Sequence, residues 1–168
     1  FRLVAATNPC PCGYYGDEHK ACRCTPTKVA NYLQRLSGPL LDRIDLQVAV
    51  QRPSPEVLLM PKKGLDTQTA KRWVVQAQVR QLARSGLLNG DLPWAELEAC
   101  TKLKSVDDKL LKNAISRLHL SPRGIHKVLR VARTIADLDH TNTIHKNHLL
   151  EALSYRRLDI LSMEIEQA

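Results

Sequence analysis

From Thr67 onward, apolar residues recur at spacings of three and four, the period of helices with one buried face. Val74, Val75, Val79 and Leu82 predict the inner face of a helix over Thr67–Ser85, with Gly86 as its stop. Asp91–Ala99 predicts a short helix with Trp94 and Leu97 buried. Ser105 caps the next helix, with Asp108 completing a capping-box-like pair and Val106, Leu110, Leu111, Ala114 and Leu118 inward. Ser121-Pro122 stands in the favoured N-cap, N1 order before a helix that buries Ile125, Val128, Leu129, Ala132, Ile135 and Leu138. A last helix is expected from about Lys146 to Arg156.

The earlier part of the chain has a different rhythm. Phe1 to Ala6 is a nearly continuous apolar run, the pattern of a strand buried in a parallel sheet. Such a strand needs neighbours, which points to a piece of a larger α/β domain. Residues 9–26 are rich in Cys, Gly and Pro and predict a loop. Thr27–Ser37 reads as a helix through Val29, Tyr32, Leu33 and Leu36, ended by Gly38-Pro39, and Leu40–Arg43 as a short helical turn or loop. Ile44–Gln51 alternates like a strand with one wetter face. The expected fold is mainly α: the end of an α/β core over 1–52, a Pro-rich linker over 53–65, and an all-helical domain over 66–168.

With 168 residues, 43% hydrophobic and 25% charged, the chain has the composition of a folded protein rather than a disordered or fibrous one. It has neither a membrane-length apolar run nor a basic leader, and a cytoplasmic location is expected. The formal net charge of +8 favours a polyanionic partner such as nucleic acid or nucleotide phosphate. The excess is built into both parts: 9 Lys/Arg against 5 Asp/Glu up to Leu65, and 16 against 12 beyond it.

Cys10-Pro11-Cys12 and Cys22-Arg23-Cys24 bring four thiols into fifteen residues, on turns that Gly13 and Gly16 supply. Paired thiolates of this kind suit a tetrahedral, structural Zn²⁺ site, with no position left open for water. An iron–sulfur cluster and a free or redox-active cluster are the alternatives. His19 is a substitute ligand that is expected to lie outside, and Cys100 a plain core residue.

Val4-Ala-Ala-Thr-Asn8-Pro, Gly38-Pro-Leu-Leu-Asp-Arg43-Ile-Asp45 and Leu120-Ser-Pro-Arg123-Gly, in that order, resemble the AAA+ ATPases of the magnesium-chelatase-like group. The cysteine loop after Asn8, together with Val131-Ala-Arg-Thr-Ile-Ala-Asp-Leu138, is most similar to the ComM/YifB branch. The resemblance implies that Asn8 is sensor 1, Arg43 an arginine finger offered to a neighbouring subunit, and Arg123 sensor 2 in a helical lid. It also implies ATP and Mg²⁺ for the parent protein and a ring, expected to be hexameric, that acts on DNA in branch migration. The phosphate loop G-x-x-x-x-G-K-[ST] and an acidic Mg²⁺-binding pair are absent from this sequence, so this chain alone is expected to be monomeric and inactive as an ATPase.

Arg123, Lys127, Arg130 and Arg133 fall on one face of their helix, which is either a contact for DNA or nucleotide phosphate or an ordinary wet face. Gln76, Gln78, Arg80, Gln81 and Arg84 form a similar polar face with a weaker claim. Two further readings remain open: a non-enzymatic, zinc-stapled helical module that binds nucleic acid or protein, and a chelatase-type motor that inserts metal into a porphyrin.

Overall fold

The computed structural model describes residues 3–35, 38–59, 64–103 and 105–156. Leu36, Ser37, the side chains of Ser105 and Val106, and the stretch after Arg156 lie outside the described residues. The described chain is helical: α1 (Pro26–Leu33), α2 (Gly38–Leu41), α3 (Pro55–Leu59), α4 (Thr67–Ser85), α5 (Trp94–Cys100), α6 (Ser105–Leu118), α7 (Pro122–Leu138) and α8 (Lys146–Ser154). None of these helices is long and apolar enough to cross a membrane.

Local chemistry accounts for the helix ends. Asp66 Oδ1 accepts from the Thr69 amide at 2.9 Å and starts α4. Gly86, at φ 72°, ends it in the left-handed region open to glycine, its amide bonded to Leu82 O at 2.8 Å. Ser121 Oγ accepts from the Gly124 amide at 3.0 Å, with Pro122 in the first turn of α7. The core joins α6, α7 and α8 through Leu111, Val128, Leu129, Ala132, Ile135, Leu149 and Leu153, with Ile144 plugging the α7–α8 turn. The apolar spacing in the sequence matches this core except at Leu138, expected inward, which lies at the end of α7 and is 39% exposed.

Three further expectations, on the two strands, the α4 face and Trp94, are corrected. Neither expected strand forms among the described residues: Leu3 to Asn8 is exposed, and Ile44–Gln51 contributes one isolated parallel bridge, Gln47 to Arg156. A strand without a neighbour has no ladder to complete, whatever its side-chain pattern. The inner face of α4 is also not the valine face. Val74, Val75, Val79 and Leu82 are exposed (Val79 at 60%), while Ala77 and Gln81 are buried. The buried face of this helix is instead the one from which Arg84 reaches Asp137 of α7 and Gln81 meets Asn89. Trp94, expected inside, is 37% exposed and stacks on His126 of α7 at 3.6 Å between ring centroids, whereas Leu97 is fully buried. Within residues 53–65, the expected linker, the described residues include the short helix α3.

Candidate nucleotide-facing site and cysteine centre

Arg43 lies just after α2, on a segment that docks against α7 and the end of α8. Asp42 Oδ2 accepts from Ser121 Oγ at 2.7 Å, so the residue that caps α7 also holds the residue before Arg43. Lys127 Nζ donates to Asp45 Oδ1 at 2.5 Å and to the backbone carbonyl of Arg43 at 2.9 Å. The buried Arg156 donates to Ile44 O at 3.0 Å and lies 3.4 Å from Asp42 Oδ1, and the Gln47 amide donates to Tyr155 O at 2.8 Å. The segment from Asp42 to Gln47 is thereby held by α7 and its N-cap on one side and by Tyr155 and Arg156, just after α8, on the other.

The guanidinium of Arg43 is exposed and donates to Pro39 O at 2.8 Å, and no carboxylate pairs with it among the described residues. Arg123, in the first turn of α7, is exposed, and its side chain makes no hydrogen bond or ion pair among the described residues. These two arginines are free to take an anion, and the positive end of the α7 dipole lies beside Arg123. Asn8 is exposed at the base of the cysteine loop, where a Cβ built on Gly13 would lie 3.9 Å from its Cγ. No bond links Asn8 to Arg43 or Arg123 among the described residues.

The basic stripe on α7 does not form a continuous free face. Arg133 is 1% exposed and donates to Asp137 Oδ1, Asn142 O and Thr141 O, which removes it as a surface contact for DNA. Lys127 is engaged by Asp45 and the Arg43 carbonyl, and Arg130 donates to Leu92 O at 3.0 Å. On α4, Arg84 and Gln81 likewise face inward: Arg84 pairs with Asp137, and Gln81 Oε1 accepts from the Asn89 amide.

Asp137, which sequence reasoning did not single out, is fully buried and accepts from Arg84, Arg133 and Asn89. Desolvation alone would raise its carboxyl. The hydrogen bonds from Arg84 and Asn89 and the charge of Arg133 outweigh it and hold the carboxyl below its ordinary value.

The four cysteines of residues 10–24 converge, their Sγ atoms all lying within 4.8 Å of one another. Cys10–Cys12, Cys12–Cys22 and Cys10–Cys22 are 3.3, 3.5 and 3.7 Å apart. These separations are far beyond a disulfide bond and close to the ~3.8 Å edge of a tetrahedron with Zn–S near 2.3 Å. Gly13 and Gly16, at φ 80° and 78°, make the turns that fold the loop back. The backbone amides of Arg23 and Tyr14 lower the Cys12 thiol to about 6. The Cys24 amide favours the Cys22 thiolate, but desolvation and the Cys12 and Cys10 sulfurs outweigh it and push Cys22 up to about 12. Crowded thiols cannot all ionise alone, and a bound cation relieves that repulsion. The donor set and its spacing fit a tetrahedral thiophilic metal.

Comparison with known proteins supports an AAA+-type protein. Residues 64–156 match the C-terminal domain of magnesium chelatase subunit ChlI, and residues 1–58 match magnesium chelatase subunit ChlI. The chain belongs to the magnesium-chelatase-like family, in its ComM/YifB branch. It is 42% identical to YifB of Escherichia coli over 170 residues, covering 99% of this chain and 33% of that protein. It is 41% identical to competence protein ComM of Haemophilus influenzae over 167 residues, covering 94% of this chain and 31% of that protein. The chain thus spans about a third of the length of these relatives.

Proposed function

We propose that this chain is the part of an AAA+ ATPase subunit that supplies sensor 1, arginine finger and lid arginine to ATP hydrolysis in an oligomeric ring. The observation that carries the reading is the joint between the Arg43 segment and the start of α7. It presents two exposed arginines, neither neutralised by a carboxylate among the described residues, from elements bonded to each other. Arg43, acting on the nucleotide of a neighbouring subunit, stabilises negative charge on the transferring phosphoryl oxygens, a role worth about 10³–10⁵ in rate where it has been measured. Arg123 adds a second positive charge at the phosphates, and Asn8 orients the attacking water. ATP and Mg²⁺ are bound by the rest of the subunit, and Mg²⁺ supplies charge neutralisation at the phosphates.

Cys10, Cys12, Cys22 and Cys24 hold a structural Zn²⁺ that fixes the loop next to Asn8. DNA is the substrate on which the motor acts. Support comes from the net charge of +8 and from the ComM relative's designation as a competence protein.

The test is ATP hydrolysis by the full-length protein carrying Arg43→Ala or Arg123→Ala. Each variant is expected to lose turnover while its nucleotide affinity stays near wild type. Full turnover in Arg43→Ala contradicts the assignment.

A further inference from the structure

We infer that Lys127 is a positioning residue for Arg43, a strut through which α7 sets where the finger points. The inference rests on the finger reading above and adds to it a residue that motif matching leaves among the candidate DNA contacts. Its ammonium bonds the carboxylate of Asp45 on one side of Ile44 and the carbonyl of Arg43 on the other. The carbonyl is attached to the Cα that bears the Arg43 side chain, so the bond fixes backbone rather than a neighbouring side chain. The Lys127 side chain is 16% exposed and Asp45 57% exposed. With the Asp45 end of the pair solvated, its Coulombic contribution to stability is screened, so its effect falls on geometry.

Lys127 stands one helical turn after Arg123, and a rigid helix separates the two by about 6 Å along its axis. Any tilt or shift of α7 carries Arg123 with it and, through Lys127 and Ser121, carries the Arg43 backbone as well. The two arginines therefore advance on the phosphates together or not at all. This coupling also explains why a lysine on the expected basic stripe faces its own chain: two of its three donors are already used.

The experiment compares Lys127→Met, Lys127→Arg and Arg43→Ala in the full-length protein, measuring kcat and KM for ATP, thermal midpoint and the salt dependence of DNA binding. Lys127→Met keeps the apolar stem and removes the ammonium. Its kcat is expected to fall about 10- to 100-fold, the scale of a misplaced catalytic group, with KM nearly unchanged. Its thermal midpoint is expected to stay within about 3 °C of wild type, since the Asp45 carboxylate is open to solvent and stays hydrated without its partner. Lys127→Arg retains donors for both acceptors and is expected to restore most of the turnover.

Unchanged kcat in Lys127→Met beside an inactive Arg43→Ala overturns the strut while leaving the finger in place. Full turnover in Arg43→Ala removes the finger reading itself. A Lys127→Met loss that Lys127→Arg fails to restore, or one accompanied by a large drop in thermal midpoint, reduces Lys127 to a structural role and overturns the inference. A weaker DNA salt slope with kcat intact returns Lys127 to the DNA surface and overturns it as well.

Discussion

Asp137→Asn isolates the charge at the centre of the helical part while changing almost no volume. Asp137 Oδ1 accepts from Arg84 Nη1 at 2.6 Å and Arg133 Nη2 at 3.1 Å. Its Oδ2 accepts from Arg84 Nη2 and Asn89 Nδ2, each at 2.9 Å. An amide in either orientation turns one oxygen's pair of acceptances into donor–donor contacts. At least one of these pairs a charged guanidinium, whose hydrogen bonds are worth about 1.5–3 kcal/mol each. Arg133, 1% exposed, is then left without a full counter-charge, the situation that costs about 3–5 kcal/mol in buried pairs. The expected loss is therefore about 3–5 kcal/mol, or at least about 12 °C in thermal midpoint at roughly 4 °C per kcal/mol. Thermal and urea unfolding followed by far-ultraviolet circular dichroism reads it. Asp108→Asn serves as the control: its pair with Lys112 is exposed, and its removal is expected to cost less than about 0.5 kcal/mol. A loss below about 1 kcal/mol for Asp137→Asn refutes the view that this network holds α4 on α7.

The same carboxylate sets a pH dependence. Its folded value lies below the ordinary 3.8, so its contribution is fully present above that pH and is lost as pH falls through the folded value. Unfolding across acid pH is expected to show wild type losing stability below pH 3.8, with Asp137→Asn lacking that component. Metal analysis after purification is expected to give one zinc per chain and less than about 0.2 in Cys12→Ser with Cys22→Ser, since the site needs four thiolates. Wild type purified without metal would undo the zinc reading. Replacing Arg133 with Met is expected to leave the slope of log K against log[salt] for DNA unchanged, because the residue is enclosed. A slope reduced by about one would place it at a phosphate.

The sequence pattern reaches furthest where structure depends on near neighbours. The bounds of α4 and the Ser121 cap of α7 rest on residues within a few positions of each other, and the cysteine loop carries its own turns and ligands. The expected strands did not form because a strand is completed by another strand, and none lies beside either segment among the described residues. The rotation of α4 departs from the apolar periodicity, which points to Val75 and Val79. The burial is decided by Arg84 reaching Asp137, 53 positions away. Lys127 and Asp45, 82 positions apart, leave no local signature of their pairing. Arg133 looked like surface charge on a helical wheel, because its partners, the Thr141 and Asn142 carbonyls, belong to the turn after the helix.

The central claim is that Arg43 acts on the nucleotide of a neighbouring subunit, and a mixing experiment tests it most directly. Full-length subunits carrying Arg43→Ala keep an intact nucleotide pocket. Partners that cannot bind ATP keep an intact Arg43. Each preparation is expected to be inactive alone, and co-assembled rings are expected to regain ATP hydrolysis at the shared interfaces, where a sound pocket meets a sound finger. Mixed rings that assemble but stay inactive would contradict the account, because Arg43 would then not be serving its neighbour.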